Sequence, residues 1–398
     1  MNLDIGKRDI VILSAVRTPF GTMNGSLKSL TATDIAIPAA KAALEQAGVA
    51  PDDIDQVIFG NVLQTANDAI YMARHIGLRA GLPIEVPALT INRLCGSGFQ
   101  AVVSAAEQIL TGQANAVLCG GTESMSQAPH VVHGMRDGTR FGQSPKMEDL
   151  LFACLKDSYT GDPMAITAEN LAVKYGITRE QVDEYAKLSQ DRWEAADAAG
   201  RFDDELVDIT IKGRKGDVVF TKDEHPRNSS LEKLAKLRPV FKADGVVTAG
   251  NASGIGDGAG ALIVADAKWA EKKGLTPIAR LVSWGIAGVD PNLMGIGPVP
   301  SSQKALKMAG MQVSDMALVE INEAFSAQYL AVEKALGLDR SITNVNGGAI
   351  SLAHPLAASG ARITATLIHA LRRRGDKLGL AGACIGGGQG ISVVVEAV

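Results

Sequence analysis

Four residues of this chain combine reactive atom types with surroundings that could support covalent chemistry. Cys95 stands in Asn92-Arg93-Leu94-Cys95-Gly96-Ser97-Gly98, after a strand-like run and before a helical one. A thiol at a helix N-terminus feels exposed amides and the positive end of the helix dipole, and both favour the thiolate. The adjacent glycines let a substrate approach the backbone. The plain alternative is a small hydrophobe buried at a helix start. Cys384 opens Cys384-Ile385-Gly386-Gly387-Gly388-Gln389-Gly390 at a strand end. Such a glycine-rich loop offers amides to an anion. The run Ile391 to Val395 behind it is another strand, so no helix follows to complete a dinucleotide site. His354 closes Asn346-Gly347-Gly348-Ala349-Ile350-Ser351-Leu352-Ala353-His354-Pro355. Proline holds the preceding residue extended, and imidazole suits proton transfer near neutral pH. A structural histidine is the alternative there. Asn322-Glu323-Ala324-Phe325 follows the strand Leu318 to Ile321, and its polar pair either caps the next helix or serves a site.

The elements that must position these residues alternate between strand and helix. Val11 to Val16 reads as a strand ended by Arg17-Thr18-Pro19-Phe20-Gly21. A helix follows from Thr33, with Asp34 as a cap, Gly48 as its stop and Pro51 beyond. Strands at Val57 to Phe59, Ala88 to Ile91 and Ala116 to Cys119 surround a helix from Phe99 to Leu110. The second half repeats this order. Leu306-Lys307-Met308-Ala309-Gly310 mirrors Leu44-Glu45-Gln46-Ala47-Gly48, and Asp315-Met316 and Val319 mirror Asp53-Ile54 and Val57, all at an offset of 262 residues (306 minus 44). Ser359-Gly360-Ala361 opens a helix as Ser97-Gly98-Phe99 does, and Leu380 to Cys384 before Gly386-Gly387 parallels Val117 to Cys119 before Gly120-Gly121. The expected fold is α/β: two duplicated αβ halves, with two parallel or mixed sheets covered by helices.

Between the halves the texture changes. Ser124 to Val247 is richer in charge and Met, with a helix pattern at Arg179 to Ala198 and an exposed hairpin-like stretch from Lys212 to Ser230. Long insertions of this kind are commonly lids or binding loops. The expected division is therefore 1–123, an inserted 124–247, the remainder of the first half at 248–274, and 275–398.

Composition excludes several other functions. The chain has 398 residues, 46% of them apolar and only 4% aromatic, with 43 glycines, which suits helices packed on sheets. Net charge is −4 and the pI about 5.9, which is no footprint for nucleic acid. Arg372-Arg373-Arg374 reads as a solvated helix end. No apolar stretch reaches the roughly 18 residues of a membrane span. Met1 to Ile10 is polar, without the apolar core of a cleavable signal. Four cysteines with no CxxC pair argue against a disulfide framework or a redox dithiol. His130 and His133 have no further ligand cluster nearby to hold zinc.

Taken together, Asn92 with Cys95-Gly96-Ser97-Gly98, Asn322-Glu323-Ala324-Phe325, His354-Pro355 and Cys384-Ile385-Gly386-Gly387-Gly388 resemble the thiolase family, in order and in spacing. The resemblance covers essentially the whole chain, from Arg17-Thr18-Pro19-Phe20-Gly21 onward. It implies a layered αβαβα thiolase core with an inserted loop domain. It also implies an acyltransferase that cleaves 3-ketoacyl-CoA with a second CoA. Cys95 would be the acylated nucleophile, His354 its activator, and Cys384 the proton shuttle to the enolate and the incoming thiol. Asn322 would hold a water that forms one oxyanion hole with His354, and the amides of Cys95 and Gly386 would form the other. Asn251-Ala252-Ser253-Gly254 looks like the family's pantetheine-contacting segment, and the resemblance implies Ala252, Ser253, Met164 and Phe325 as substrate contacts. No cofactor is implied beyond coenzyme A as substrate. Acyl-CoA and CoA are the implied partners, in a homodimer or homotetramer of the bacterial cytoplasm or mitochondrial matrix.

Two positions depart from the family pattern, which has glycine where Ala353 and Ala357 stand. A position that needs positive φ is strained by alanine. Biosynthetic acetoacetyl-CoA thiolases resemble one another in a His before the Met of the segment that here reads Pro163-Met164. With Asn61-Val62-Leu63-Gln64, Pro163 makes the chain look more like mitochondrial-type 3-ketoacyl-CoA thiolases of fatty-acid β-oxidation. The acetoacetyl-CoA type is one alternative, and a weakened thiolase-fold acyl-CoA binding protein is another.

Overall fold

The computed structural model describes residues 8–227 and 229–398. The polar start therefore lies outside the described residues as far as Lys7. Among the described residues nine strands build the main sheet: β1 (Ile10–Arg17), β2 (Gln56–Gly60), β3 (Ala88–Ile91), β4 (Ala116–Ser124), β5 (Gly256–Asp266), β6 (Ala279–Gly288), β7 (Leu318–Ile321), β8 (Leu378–Ile385) and β9 (Gln389–Ala397). A short strand at Gly21–Thr22 adds to β5. The principal helices are α1 (Ala32–Ala47), α2 (Met72–Ala80), α3 (Ser97–Leu110), α4 (Met164–Tyr175), α5 (Arg179–Ala198), α6 (Pro298–Ala309), α7 (Ser326–Leu336) and α8 (Leu356–Arg374).

Local chemistry accounts for the ends of these elements. α1 starts one turn earlier than Asp34 suggests, because Thr31 is its cap and Asp34 is the reciprocal partner in a capping box. Gly48 then takes φ 64 to close it. The duplication is carried by element boundaries. β2 and β7 begin 262 residues apart, at Gln56 and Leu318, and so do β4 and β8, at Ala116 and Leu378. Leu118 opposes Val57 as Leu380 opposes Val319. This register corrects the expected parallel between the two glycine-ended strands. Cys119 corresponds to Ala381, and Cys384 to Thr122, because the first strand runs on through Gly120-Gly121 to Ser124.

The two halves were expected to form separate sheets, but they form one. Its order is β7-β8-β9-β6-β1-β5-β4-β2-β3, and the seam is a short antiparallel pairing of Val11 with Arg280 and Ile12 with Ala279. With so few bonds at the seam, the sheet folds over on α3 and α8, which lie between its halves. Ile12, Val102, Leu262, Ile363, Leu367 and Val393 meet in that central core. α1 and α2 cover the outer face of the first half, and α6 and α7 that of the second. The result is the layered αβαβα arrangement. Every residue of α8 from Leu356 to Leu371 is buried, while Arg372, Arg373 and Arg374 emerge into solvent.

α3 and α8 cross at the repeated Ser-Gly pair. A methyl on Gly98 would stand 2.5 Å from the Ala361 amide nitrogen, and one on Gly360 would strike the Phe99 backbone. Glycine is required here by close approach. Among the described residues, the stretch between β4 and β5 adds no strand to the main sheet. It holds α4, α5 and a hairpin pairing Ile209–Ile211 with Val218–Phe220. A buried ion triad ties it down. Arg17, at the end of β1, donates to Glu205 at 2.6 Å and to both Asp223 oxygens at 2.7 and 2.9 Å.

Candidate active site

Cys95 lies in a single tight turn, Leu94–Gly96, that leads into α3. Leu94 has φ 46, a left-handed conformation that a branched side chain adopts rarely. Asn92 Oδ1 accepts the Leu94 N–H at 2.9 Å, and Ser97 Oγ donates to the Leu94 carbonyl at 2.7 Å. Gly96 brings this turn against the end of β8, where a Cβ would stand 2.5 Å from Ile385 Cδ1. Cys95 and Cys384 are thereby brought to one place.

The thiol is not poised as a thiolate. Loss of hydration pushes Cys95 up to about 11, with Glu123 adding to the shift, while the amides of Gly386 and Cys95 act in the opposite direction. The expected pull of the helix N-terminus is thus outweighed by burial among apolar groups. Cys384, the penultimate residue of β8, is fully buried beside Met294, Ala324, Met164 and Phe325. Burial raises its thiol, and a charge on Cys95 would raise it further.

His354 and Asn322 are in contact. Asn322 Nδ2–H donates to His354 Nε2 at 3.3 Å. On the other side of the ring, Ser359 Oγ lies 2.6 Å from Nδ1 and donates its own proton to the Pro355 carbonyl at 2.9 Å. Nδ1 therefore carries the imidazole proton, and Nε2 is left as the acceptor, on the side of Asn322. Burial, aided by the Arg362 charge, pushes His354 down to about 3, so the ring is neutral at rest. Asn322 Oδ1 is buried and accepts no hydrogen bond among the described residues. The Asn322-Glu323 pair does not cap α7, which starts after Phe325 without a side-chain cap. Glu323 instead accepts from Tyr185 Oη (2.7 Å), Ser189 Oγ (2.7 Å), Asn344 Nδ2 (3.1 Å) and the Ile350 amide (3.1 Å). That network fastens the Asn322 loop to α5.

Cys95 and His354 line one pocket of about 270 Å³. Met164, Ala252, Ser253 and Phe325, singled out as contact residues, line it too. The Ala252-Ser253 segment is bridged to Phe325 through the Ser253 amide, which donates to the Ala324 carbonyl at 3.0 Å. The remaining wall is almost wholly apolar, with Met125, Phe152, Leu155 and Phe241 from the intervening segment. Gly386 abuts this region, since a Cβ there would stand 3.4 Å from Met164 Sδ. The glycine loop after Cys384 is a tight turn between β8 and β9, with Gly387 at φ 78 and Gly388 at φ 85. His133 pairs with Glu148 on the exposed hairpin that also carries His130.

The two alanines differ from each other. Ala353 has φ 80 and ψ 171, a region otherwise occupied by glycine. Ala357 is an ordinary residue of the first turn of α8, and its amide donates to Glu123 Oε2 at 3.0 Å. Sequence reasoning passed over Glu123, because the strand that bears it reads as ending at Cys119. Ser359 drew notice only as a mark of the repeat, although the His-Pro-x-x-x-Ser spacing places its hydroxyl one turn along α8.

The models for the thiolase N-terminal domain and the thiolase C-terminal domain match residues 10–268 and 275–397. The chain belongs to the thiolase family, a family of acyltransferases. It is 57% identical to the mitochondrial 3-ketoacyl-CoA thiolase of Homo sapiens over 98% of each chain. The crystal structure of human mitochondrial 3-ketoacyl-CoA thiolase superposes with a TM-score of 0.97, covering 98% of this chain and 99% of that one. A crystal structure of the human enzyme in complex with CoA gives 0.96 at 56% identity, covering 98% of both chains. The chain is also 50% identical to the acetyl-CoA acetyltransferase of Cupriavidus necator, over 98% of this chain and 99% of that one.

Proposed function

We propose that the chain is a 3-ketoacyl-CoA thiolase of fatty-acid β-oxidation, working through an acyl group on Cys95. The reading rests on one observation above all: Cys95 and His354 line one apolar pocket, with Asn322 hydrogen-bonded to His354 and Cys384 packed among residues of the pocket wall. In this mechanism the Cys95 proton passes to His354 Nε2 as sulfur attacks the 3-keto carbon. A neutral thiol and a neutral imidazole are the starting pair. The bond between carbons 2 and 3 then breaks, and the acetyl-CoA enolate takes a proton from Cys384. A second CoA thiol gives its proton to Cys384 and its sulfur attacks the acyl carbonyl carbon; the Cys95 sulfur leaves and takes back the proton held on His354, and an acyl-CoA shortened by two carbons is released. Amides of Cys95 and Gly386 would stabilise one oxyanion, and His354 with a water on Asn322 the other, each contributing about 3 kcal/mol. Splitting the reaction at a thioester replaces one hard step by two easier ones. Coenzyme A enters as a substrate, and none of these steps calls for a metal.

Several features support the finer assignment. Pro163 stands at the N-cap of α4, where the acetoacetyl-CoA type has a histidine before the methionine. Identity is higher to the mitochondrial 3-ketoacyl-CoA thiolase than to the acetyltransferase. The acetoacetyl-CoA activity is the second reading, favoured by that 50% relative. We divide the chain at 1–123, 124–247, 248–274 and 275–398, a division consistent with the described residues of 124–247 adding no strand to the sheet beyond Ser124. A homodimer or homotetramer is proposed as well. The edge strand β3 leaves Leu89 exposed, Ile70, Tyr71 and Ile84 are exposed in the stretch of chain that leads to it, and uncovered edges of this kind favour pairing.

Thiolysis of acetoacetyl-CoA and of a medium-chain 3-ketoacyl-CoA tests the assignment, since a higher kcat/KM for the longer substrate is expected. Preference for acetoacetyl-CoA would overturn the β-oxidation reading. Cys95→Ser should lower turnover to below about a thousandth with the fold intact, because a hydroxyl is a far weaker acid than a thiol. Cys384→Ala should still be alkylated at Cys95 yet fail to turn over.

A further inference from the structure

Glu123 has no part in the chemistry above, yet its carboxylate meets both arms of the site. It lies on β4, opposite Gly258, and is fully buried. Oε1 accepts from Asn61 Nδ2 at 3.0 Å and the Leu63 amide at 2.9 Å. The Val62 amide is shared between both oxygens at 3.3 and 3.2 Å, and Oε2 takes the Ala357 amide at 3.0 Å. All four donors are uncharged. The carboxylate thus joins the loop after β2 to the first turn of α8, three residues beyond His354.

The loop continues the link to the nucleophile. The Val62 carbonyl accepts from Asn92 Nδ2 at 3.3 Å, and Asn92 Oδ1 accepts the amide of Leu94, the residue held at φ 46 before Cys95. Val62, Leu63, Cys95 and Leu356 also pack in one small apolar cluster. Few other groups could do this work. An amide side chain offers a single acceptor oxygen, while four N–H groups converge here.

We propose that Glu123 is a positioning residue that sets the Cys95 turn and the His354 helix relative to one another. This rests on Cys95 as nucleophile and His354 as its base. The carboxylate does so at an electrostatic cost. It is desolvated, it sits near Asp257 on β5, and its charge opposes thiolate formation at both Cys95 and Cys154. His354, itself shifted by burial and by Arg362, also titrates near this turn of α8.

The test compares Glu123→Gln with Asn92→Ala, which breaks the same linkage at its far end and leaves the carboxylate in place. Each is measured for kcat, KM, thermal midpoint and the rate of Cys95 alkylation by iodoacetamide near pH 8.5. Glu123→Gln should lower kcat at least about tenfold with KM within about twofold, a geometric effect on catalytic alignment. Its Cys95 should nevertheless be alkylated at least about threefold faster, because a negative charge has gone. Asn92→Ala should show the loss in kcat without faster alkylation. A wild-type kcat in Glu123→Gln would overturn the proposal. So would a loss in kcat that follows a fallen thermal midpoint with alkylation unchanged. If Glu123→Gln does not fold, Asn92→Ala decides: reduced kcat at the wild-type midpoint supports the linkage, and wild-type kcat removes it. Cys95→Ser, run alongside, keeps the two questions apart. An active Cys95→Ser enzyme sinks the nucleophile itself, whereas an inactive one beside a fully active Glu123→Gln enzyme sinks the positioning role alone.

Discussion

At the residue scale, Ala353 and His354 carry opposite kinds of strain. Ala353 is held at φ 80 with ψ 171, and its neighbours fix it there, since the His354 amide donates to the Gly254 carbonyl at 2.9 Å. Ala353→Gly should therefore stabilise the protein by about 1 kcal/mol, strain relief outweighing the extra chain entropy of glycine. Ala357→Gly should do the reverse by about 0.5–1 kcal/mol, because that position is helical. Denaturant unfolding of the two variants checks both signs. The strain in His354 is electrostatic. With its folded-state value pushed down to about 3 from the ordinary 6.5, the unfolded chain binds the proton first as pH falls. The stabilisation is complete above pH 6.5 and is lost progressively toward 3. His354→Asn should then lose about 2–3 kcal/mol less than the parent between pH 7 and 4.5, as read from thermal unfolding. Glu123 and Glu320, raised to about 7 and about 8 by burial, shift stability in the opposite sense, but they are common to both proteins and cancel in the comparison.

At the element scale, the crossing of α3 and α8 governs where the reactive groups sit. Cys95 precedes one helix and His354 the other, and the two backbones touch at Gly98 and Gly360. No side chain fits that contact, because the obstructing atoms are backbone. Gly98→Ala should destabilise by about 2–4 kcal/mol, or separate the helices enough to lower kcat while KM is little changed. Calorimetry and steady-state kinetics distinguish the two. The periodic signals for these helices and for α5 were legible in the chain, as were the capping residues. Strand length was not. β4 reads as ending at the glycine pair, but it continues because Gly120 and Gly121 let β5 and α8 approach closely, and that is a tertiary requirement.

At the scale of the whole molecule, one sheet folded over two central helices needs ties between its core and the segment that roofs the pocket. Arg17 supplies one of these. It is fully buried between Glu205 and Asp223, with Phe20 and Phe202 rings 5.5 and 5.3 Å from its guanidinium carbon. Thr366 of α8 adds a bond to the same Glu205 at 3.1 Å. Arg17→Met leaves two carboxylates buried without their cation, and should cost about 3–5 kcal/mol. Limited proteolysis should then cut within residues 200–225 before the rest of the chain opens.

By itself the sequence determined what kinds of group are available and in what order. The Cys95, Asn322, His354 and Cys384 motifs, the 262-residue repeat and the helix caps are all local or periodic signals, and these survive without a fold. What only the tertiary structure decided are properties of surroundings. Whether Cys95 is a thiolate depends on what excludes water from it, and the answer reversed the expectation from its helix N-terminus. Whether Asn322 caps a helix or faces His354 depends on where α8 lies, 32 residues further along the chain. Ala353 and Ala357 look alike in sequence, yet one is strained and the other is a helical donor. Glu123 gave no local sign at all, because its donors come from segments 60 to 234 residues away, and only packing brings them to one carboxylate.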